Sequence, residues 1–276
     1  MPRPARAKDR AALEALWLTV FTEDGPADVA AFWQSGFSPG QAFVHEEDGQ
    51  ILSMAFLLPA KRQIGKDVYP VGYLYAAATH PEHRGRGLFS GVMTALHAAA
   101  RAKGLRGVIL RPAEPSLEGF YARAGYRPAF FVREDDLSRE EIAHKAASAA
   151  ADMRILRTPT PFREEWLTAH GVDHVVMDDA AWRYTLSANE FWQGDGWSAV
   201  CAASGSRLLV REWLGDGDRL PAFYRALLDN RRFERVTIRR PADERRTVFG
   251  MALDFGGDLP PDRTLSPAPY MGLALD

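Results

Sequence analysis

An apolar run of strand length, Val71 to Ala78, stops at Thr79-His80-Pro81, and a helix begins a few residues later, beyond Arg84-Gly85-Arg86-Gly87. Proline disfavours helix for the residue before it, so the strand ends near Thr79. Leu88, Val92, Ala95, Leu96 and Ala99 then share one helical face, and Lys103-Gly104 supplies a basic last turn and a glycine stop. Strand, glycine-rich turn and amphipathic helix in that order make a unit of an α/β fold. The turn also suits an anion. The first N–H groups of a helix lack partners and carry the positive end of its dipole, while glycines allow close approach of the backbone. Two arginines in the same turn add directional, charge-assisted donors.

The chain has 276 residues, enough for two domains of ordinary size. Leu13, Leu16, Trp17, Val20 and Phe21 predict an amphipathic helix over 10–21, followed by a glycine- and proline-punctuated loop. Ala42 to His45 and Ile51 to Leu58 read as strands around the turn Glu47-Asp48-Gly49-Gln50, which opens an antiparallel meander. Val108 to Leu110 reads as a strand, and Leu117, Phe120, Tyr121 and Ala124 as a short helix closed by Gly125. Tyr126 to Val132 reads as a further strand. The first domain is expected at 1–137. Ser138 and Glu141 form a capping box that opens a linker helix over 138–151. A second domain is expected at 152–276, with strands near Met153–Leu156, Ser198–Ala203, Arg207–Trp213, Val236–Arg240, Thr247–Asp254 and Tyr270–Leu275, and a helix from Leu220 to Leu228.

Thr79-His80-Pro81-Glu82-His83-Arg84-Gly85-Arg86-Gly87-Leu88-Phe89-Ser90 resembles the GNAT superfamily of acyl-CoA-dependent N-acetyltransferases, whose signature is Arg or Gln, two residues, Gly, one residue, then Gly or Ala. Arg84, Gly87 and Phe89 occupy those places, and phenylalanine departs from the pattern at the last. Gly119-Phe120-Tyr121-Ala122-Arg123-Ala124-Gly125-Tyr126 resembles the family's second motif, and the element order agrees over roughly residues 10 to 135. The resemblance implies a mixed, mostly antiparallel sheet flanked by helices, in two tandem GNAT-like domains with a degenerate second copy. It implies acetyl-CoA as acyl donor, with no metal. The donor would lie along Ala77, Ala78, Thr79, Arg84, Gly85, Arg86, Gly87, Leu88, Phe89 and Ser90. Gly85-x-Gly87-x-x-x-Gly91 also fits a loose dinucleotide fingerprint. A polar six-residue approach and the absence of an acid over 105–113 count against that reading.

Acetyl transfer from a thioester to an amine needs a neutral amine, donors for the oxyanion and a proton for the departing thiolate. A tyrosine, with pKa near ~10, can protonate a thiolate at neutral pH. Similarity to the family places that role on Tyr121. Backbone N–H groups near Ala77 and Ala78 would hold the oxyanion. Histone-type relatives carry a glutamate base where this chain has Tyr73, so the base stays open. Glu46, Glu47, Asp48, Glu82 and His80 read as solvated loop residues, and His83 and His97 as exposed. The chain-end carboxylate of Asp276 is a further alternative. The missing glutamate and Phe89 motivate a second reading, a non-catalytic acyl-CoA-binding module.

The equivalent turn in the second half would be Leu214-Gly215-Asp216-Gly217-Asp218, whose aspartates repel a pyrophosphate. With 34 basic and 36 acidic residues, and Glu234, Asp243 and Glu244 interrupting the arginines of 231–246, neither nucleic acid nor an anionic membrane is expected as partner. Trp182, Trp192, Trp197 and Trp213 read as core or junction residues. The expected partner is a small-molecule or protein amine acceptor, with oligomeric state open. One cysteine, Cys201, excludes an internal disulfide. With no signal-like start and no apolar run approaching ~20 residues, the expectation is a cytoplasmic protein.

Overall fold

The computed structural model describes residues 1–146, 149–150, 153–202, 206–242, 247–256 and 267–273. Strand β1 (Pro2–Pro4) is followed by helices α1 (Arg10–Val20) and α2 (Pro26–Gln34). A loop was expected where α2 lies. Gly25-Pro26 is in fact its start, with proline at the first helical position and the Gly25 N–H donating to Asp28 Oδ2 at 2.8 Å. The meander β2 (Ala42–Glu47), β3 (Gln50–Ile64) and β4 (Asp67–Thr79) comes next. Its first hairpin turns at Asp48-Gly49, both at positive φ (49° and 80°), as a tight two-residue loop demands.

Helix α3 (Leu88–Ala102) carries the chain over the sheet to β5 (Gly107–Leu110), which runs parallel to β4. Helix α4 (Glu118–Arg123) and strand β6 (Arg127–Ser138) complete the first half. Alternate residues of β3 explain its unbroken apolar run. Met54, Phe56 and Leu58 pack with Trp17 of α1 and Phe32 of α2, while Ala55 and Leu57 pack with Val92 and Leu96 of α3. The sheet is therefore covered on both faces.

Helix α5 (Arg139–Ala146) opens with the expected capping box: the Ser138 N–H donates to Glu141 Oε2 at 2.7 Å, and the Glu141 N–H to Ser138 Oγ at 3.2 Å. Its helical extension toward Ala151 is missing at Ala149 and Ala150, beyond the last buried anchors, Ile142 and Ala146. Then follow β7 (Met153–Leu156), α6 (Phe162–Ala169), β8 (His174–Val176), α7 (Asp179–Thr185), β9 (Asn189–Gly194), β10 (Trp197–Ala202) and β11 (Arg207–Gly215). Helix α8 (Leu220–Asn230) crosses to β12 (Arg235–Pro241), parallel to β11, before β13 (Thr247–Asp254). The expected strand Tyr270–Leu275 reduces to one bridge from Tyr270 to His174. Gly272, at φ 52°, interrupts extension there, and residues 274–275 lie outside the described ones.

The described strands form one mixed, mostly antiparallel sheet in the order β1-β2-β3-β4-β5-β13-β6-β12-β11-β10-β9-β7, with β8 paired to β3. The run β9-β10-β11-α8-β12 repeats the order and pairing of β2-β3-β4-α3-β5. The two halves interlock, because β6 pairs with β12 while β13 returns to pair with β5. The expected boundary at Leu137 falls at the end of β6, yet a strand from the second half completes the sheet of the first. No described helix is long and apolar enough to cross a membrane.

Candidate functional site

Strands β4 and β5 pair only at Gly72–Val108 and Tyr73–Ile109; β4 then runs on to Thr79 while β5 ends at Leu110. The carboxyl ends of these two parallel strands are thus splayed, a usual place for a ligand crevice in a sheet. Beyond the splay β4 carries a bulge. Met54 pairs with Ala78 and Phe56 with Tyr75, so Ala55 faces both Ala76 and Ala77, and Ala76 takes φ 45°. The extra residue has no ladder partner, and its backbone polar groups turn away from β3.

The glycine turn follows. Gly85 and Gly87 adopt φ 76° and 74°, a region that side chains rarely enter, and Gly87 caps α3. A Cβ on either would meet nothing within 4 Å, so the outer face of the turn is open. Leu88, Phe89 and Ser90 are the first residues of α3, and their N–H groups have no helical carbonyl to reach. Arg84 is exposed, its Nε 3.4 Å from the Thr79 carbonyl. Arg86 is engaged: Nη2 donates to Glu47 Oε2 at 2.8 Å and Nη1 lies 2.8 Å from His83 Nδ1. The Glu47 carboxyl is held below the usual range by that guanidinium, with His45 also in contact. Ala78 is buried, and its carbonyl accepts from Ser53 Oγ, which also meets the Thr79 hydroxyl at 3.0 Å.

Phe89 does not crowd the turn. Its ring packs against Phe120, 5.9 Å between centroids, in the cleft between α3 and α4. A cavity of about 350 Å³ opens along that cleft, from Ser90 past Thr94 and His97 to Arg123. His97 is half-buried rather than exposed. Its Nε2 lies 2.8 Å from the Tyr126 hydroxyl, and burial, then the charge of Arg101, push it down to about 4. His80, Glu82 and His83 bring ligand atoms within 4.8 Å of one another, although His83 Nδ1 is already taken up by Arg86.

The chemistry-bearing residues meet in a cavity of about 260 Å³ at the splay. Ala76 and Ala77 of the bulge and Tyr121 of α4 all line it, as does Tyr73 of β4. Burial raises the Tyr121 phenol to about 12, so it stays un-ionised across the physiological range. Four residues of its wall went unremarked in the sequence. Glu23 and Asp24 come from the loop between α1 and α2, Arg111 lies one residue beyond β5, and Tyr184 comes from α7 in the second half. The indole N–H of Trp17 donates to Asp24 Oδ2 at 2.7 Å and fixes that loop. Burial first, then neighbouring Arg239, lowers Arg111 to about 10. An acid pair after an amphipathic helix and an arginine at a strand's carboxyl end were available signals; Tyr184 offered none.

The other candidates lie elsewhere. Glu46 and Glu47 pair with Arg3 and Arg86, and Asp276 is outside the described residues. In the second half, the turn after β11 is open at Gly217, where a Cβ would meet nothing within 4 Å, but crowded at Gly215. A Cβ on Gly215 would stand 2.8 Å from Trp197 Cβ, and Asp216 accepts from or faces His170 at 3.0 Å. Trp182, Trp192, Trp197 and Trp213 are buried.

Residues 1–129 match the family model described as an acetyltransferase (GNAT) domain. No curated protein matches the sequence. Among solved structures, the chain is similar to a GCN5-related N-acetyltransferase of Anabaena variabilis (14% identity, 91% of this chain and 72% of that one, TM-score 0.70). It is also similar to a GCN5-related N-acetyltransferase of Kribbella flavida (15% identity, 91% and 70%, TM-score 0.67). A Pyrococcus horikoshii protein aligns over 100% of this chain and 94% of its own, at 12% identity and TM-score 0.65. At these identities the likeness is one of fold.

Proposed function

With residues 1–129 a GNAT acetyltransferase domain, we propose that this protein is an N-acetyltransferase that moves an acetyl group from acetyl-CoA directly to the amine of a small acceptor. One observation carries the reading: the Ala76–Ala77 bulge and the Tyr121 phenol line the same cavity at the splay of β4 and β5, just ahead of the glycine turn. The open face over Gly85 and Gly87, the N–H groups of Leu88, Phe89 and Ser90, and Arg84 and Arg86 fit the pyrophosphate of the donor. Ala77, Ala78 and Thr79 would run beside its pantetheine arm.

The amine nitrogen forms a bond to the thioester carbonyl carbon, and backbone N–H groups at the bulge stabilise the oxyanion. Such fixed donors are worth ~3 kcal/mol when aimed at developing charge. As the carbon–sulfur bond breaks, its electrons go to sulfur and Tyr121 supplies the proton. The proton lost by nitrogen leaves toward Glu23 and Asp24, which line the same cavity. Amide and free thiol are the products.

The repeated strand and helix order supports a tandem reading, in which the second half is a degenerate copy that walls the acceptor pocket through Tyr184. The crowded Gly215 and the acids of its turn suit a copy without a donor site. The buried, unpaired Cys201 suits a reducing compartment such as the cytoplasm.

Calorimetry with acetyl-CoA, paired with thiol release against a panel of amines, tests the proposal. Binding with amine-dependent release is expected. Binding without release supports a non-catalytic acyl-CoA module instead, and absence of binding overturns the donor site.

A further inference from the structure

Four consecutive residues, His80-Pro81-Glu82-His83, join the end of β4 to the glycine turn. Pro81 opens a single helical turn, Pro81–His83, whose backbone is fixed at both ends. The His80 N–H donates to the Leu52 carbonyl of β3 at 2.9 Å, and the His83 N–H donates to the His80 carbonyl at 2.9 Å. Two imidazoles and one carboxylate consequently offer ligand atoms within 4.8 Å of one another. The rings of His80 and His83 stand edge to face, 5.4 Å between centroids. Both histidines are half-buried, and Glu82 is exposed. A second observation falls on the same residues. His80 Nδ1 is buried and has no hydrogen-bond partner among the described residues. Buried polar atoms are normally paired, and an ion is one of the things that accounts for an orphan.

We propose that His80, Glu82 and His83 bind a single divalent transition-metal ion, with zinc the best match. Imidazole nitrogen and carboxylate oxygen are ligands of such cations, whereas magnesium and calcium take sets of oxygens. Ligands ~2.0 to 2.2 Å from a tetrahedral zinc stand ~3.4 Å apart, so rotation of the exposed Glu82 and the two rings closes the set, and water completes it. The ion competes with Arg86 for His83. Arg86 Nη1 lies 2.8 Å from His83 Nδ1, while Nη2 is held by Glu47. Guanidinium and metal both need the neutral ring, and their positive charges repel at that range. Binding of the ion therefore draws His83 away from Arg86 and leaves that arginine to Glu47 or to an anion at the glycine turn. The site stands apart from the acetyl-transfer step, which uses none of the three side chains.

The full chain, stripped with a chelator, is titrated with zinc sulfate by calorimetry, and its thermal unfolding is followed with and without zinc. One equivalent should bind and raise Tm, with affinity falling as pH drops through ~6.5 and the imidazoles take up protons. His80→Ala and His83→Ala should each weaken zinc ~10-fold or more. His144→Ala, at an exposed histidine of α5, should leave it unchanged. Arg86→Ala should tighten zinc by removing the competing cation. Melting curves without zinc establish that each variant is folded. Absence of binding, several weak equivalents that His144→Ala reduces as much as His80→Ala, or unchanged affinity in both His80→Ala and His83→Ala overturns the site. Equal affinity in Arg86→Ala overturns the competition for His83.

Discussion

The phenol of Tyr75, on β4, donates a hydrogen bond to the phenol of Tyr184, on α7, at 3.1 Å across 109 positions of sequence. Tyr75 and Tyr184 are both wall residues of the cavity that holds Tyr121. The bond fastens the second half of the chain to the sheet that carries the bulge.

Tyr184→Phe removes that bond while keeping the ring against Phe32 and Phe37. A typical hydrogen bond contributes ~1 kcal/mol, so acceptor KM should rise ~2- to 10-fold while acetyl-CoA affinity stays level. Steady-state kinetics with calorimetry check this; a weakened donor affinity would mean the halves are coupled through the turn instead.

Tyr121→Phe should cut kcat by ~10²- to 10⁴-fold, the range for loss of a general acid, with little change in donor binding. Because burial holds the wild-type phenol at about 12, kcat should show no falling limb up to about pH 10. A rate equal to wild type would reduce Tyr121 to packing against Phe120 and Tyr126.

Glu47→Ala releases Arg86 from the ion pair that now occupies one side of its guanidinium. Exposed pairs are weak and screened by salt. Acetyl-CoA should therefore bind ~2- to 5-fold more tightly at low salt, with the gain fading at high salt. Arg84→Ala with Arg86→Ala should do the reverse. Titration calorimetry at two ionic strengths separates these outcomes, and equal affinity across the set would remove Arg86 from the anion site.

His97 gives stability a defined pH dependence. Its folded-state value of about 4 is below the ~6.5 of a free histidine, so the unfolded chain binds more protons between those limits. The contribution is complete above about pH 6.5 and is lost as pH falls toward 4. His97→Gln should flatten the drop in denaturation midpoint between pH 7 and pH 5 relative to wild type.

Arg163 is buried between Glu212, at 2.9 Å, and Glu164, at 2.7 Å, with Glu164 also 2.7 Å from His174. Arg163→Ala strands the fully buried Glu212 and should destabilise the fold by ~3 to 5 kcal/mol. Arg163→Met with Glu212→Leu should recover most of that loss in chemical denaturation.

The strand, turn and helix from Val71 to Ala102 were legible because each step has a local cause: an apolar run, a proline stop, glycines at positive φ and a periodic apolar face. The hairpin at Asp48-Gly49 and the capping box at Ser138 were legible for the same reason. Helix α2 was not legible because Gly25-Pro26 marks a helix start as well as a loop. The bulge at Ala76 was hidden, since it arises from the register of β4 against β3 rather than from any residue type.

By itself the sequence determined the α/β unit and its glycine turn, consequences of forces acting over a few residues, while the place of Tyr121 followed only from the resemblance of its segment to a family motif. The tertiary structure decided where β6 and β13 cross between the halves, and which acids, arginine and tyrosine wall the cavity at the splay of β4 and β5. Those choices depend on pairing and burial between segments far apart in the chain. Glu23, Arg111 and Tyr184 become one site only when the sheet has brought them together.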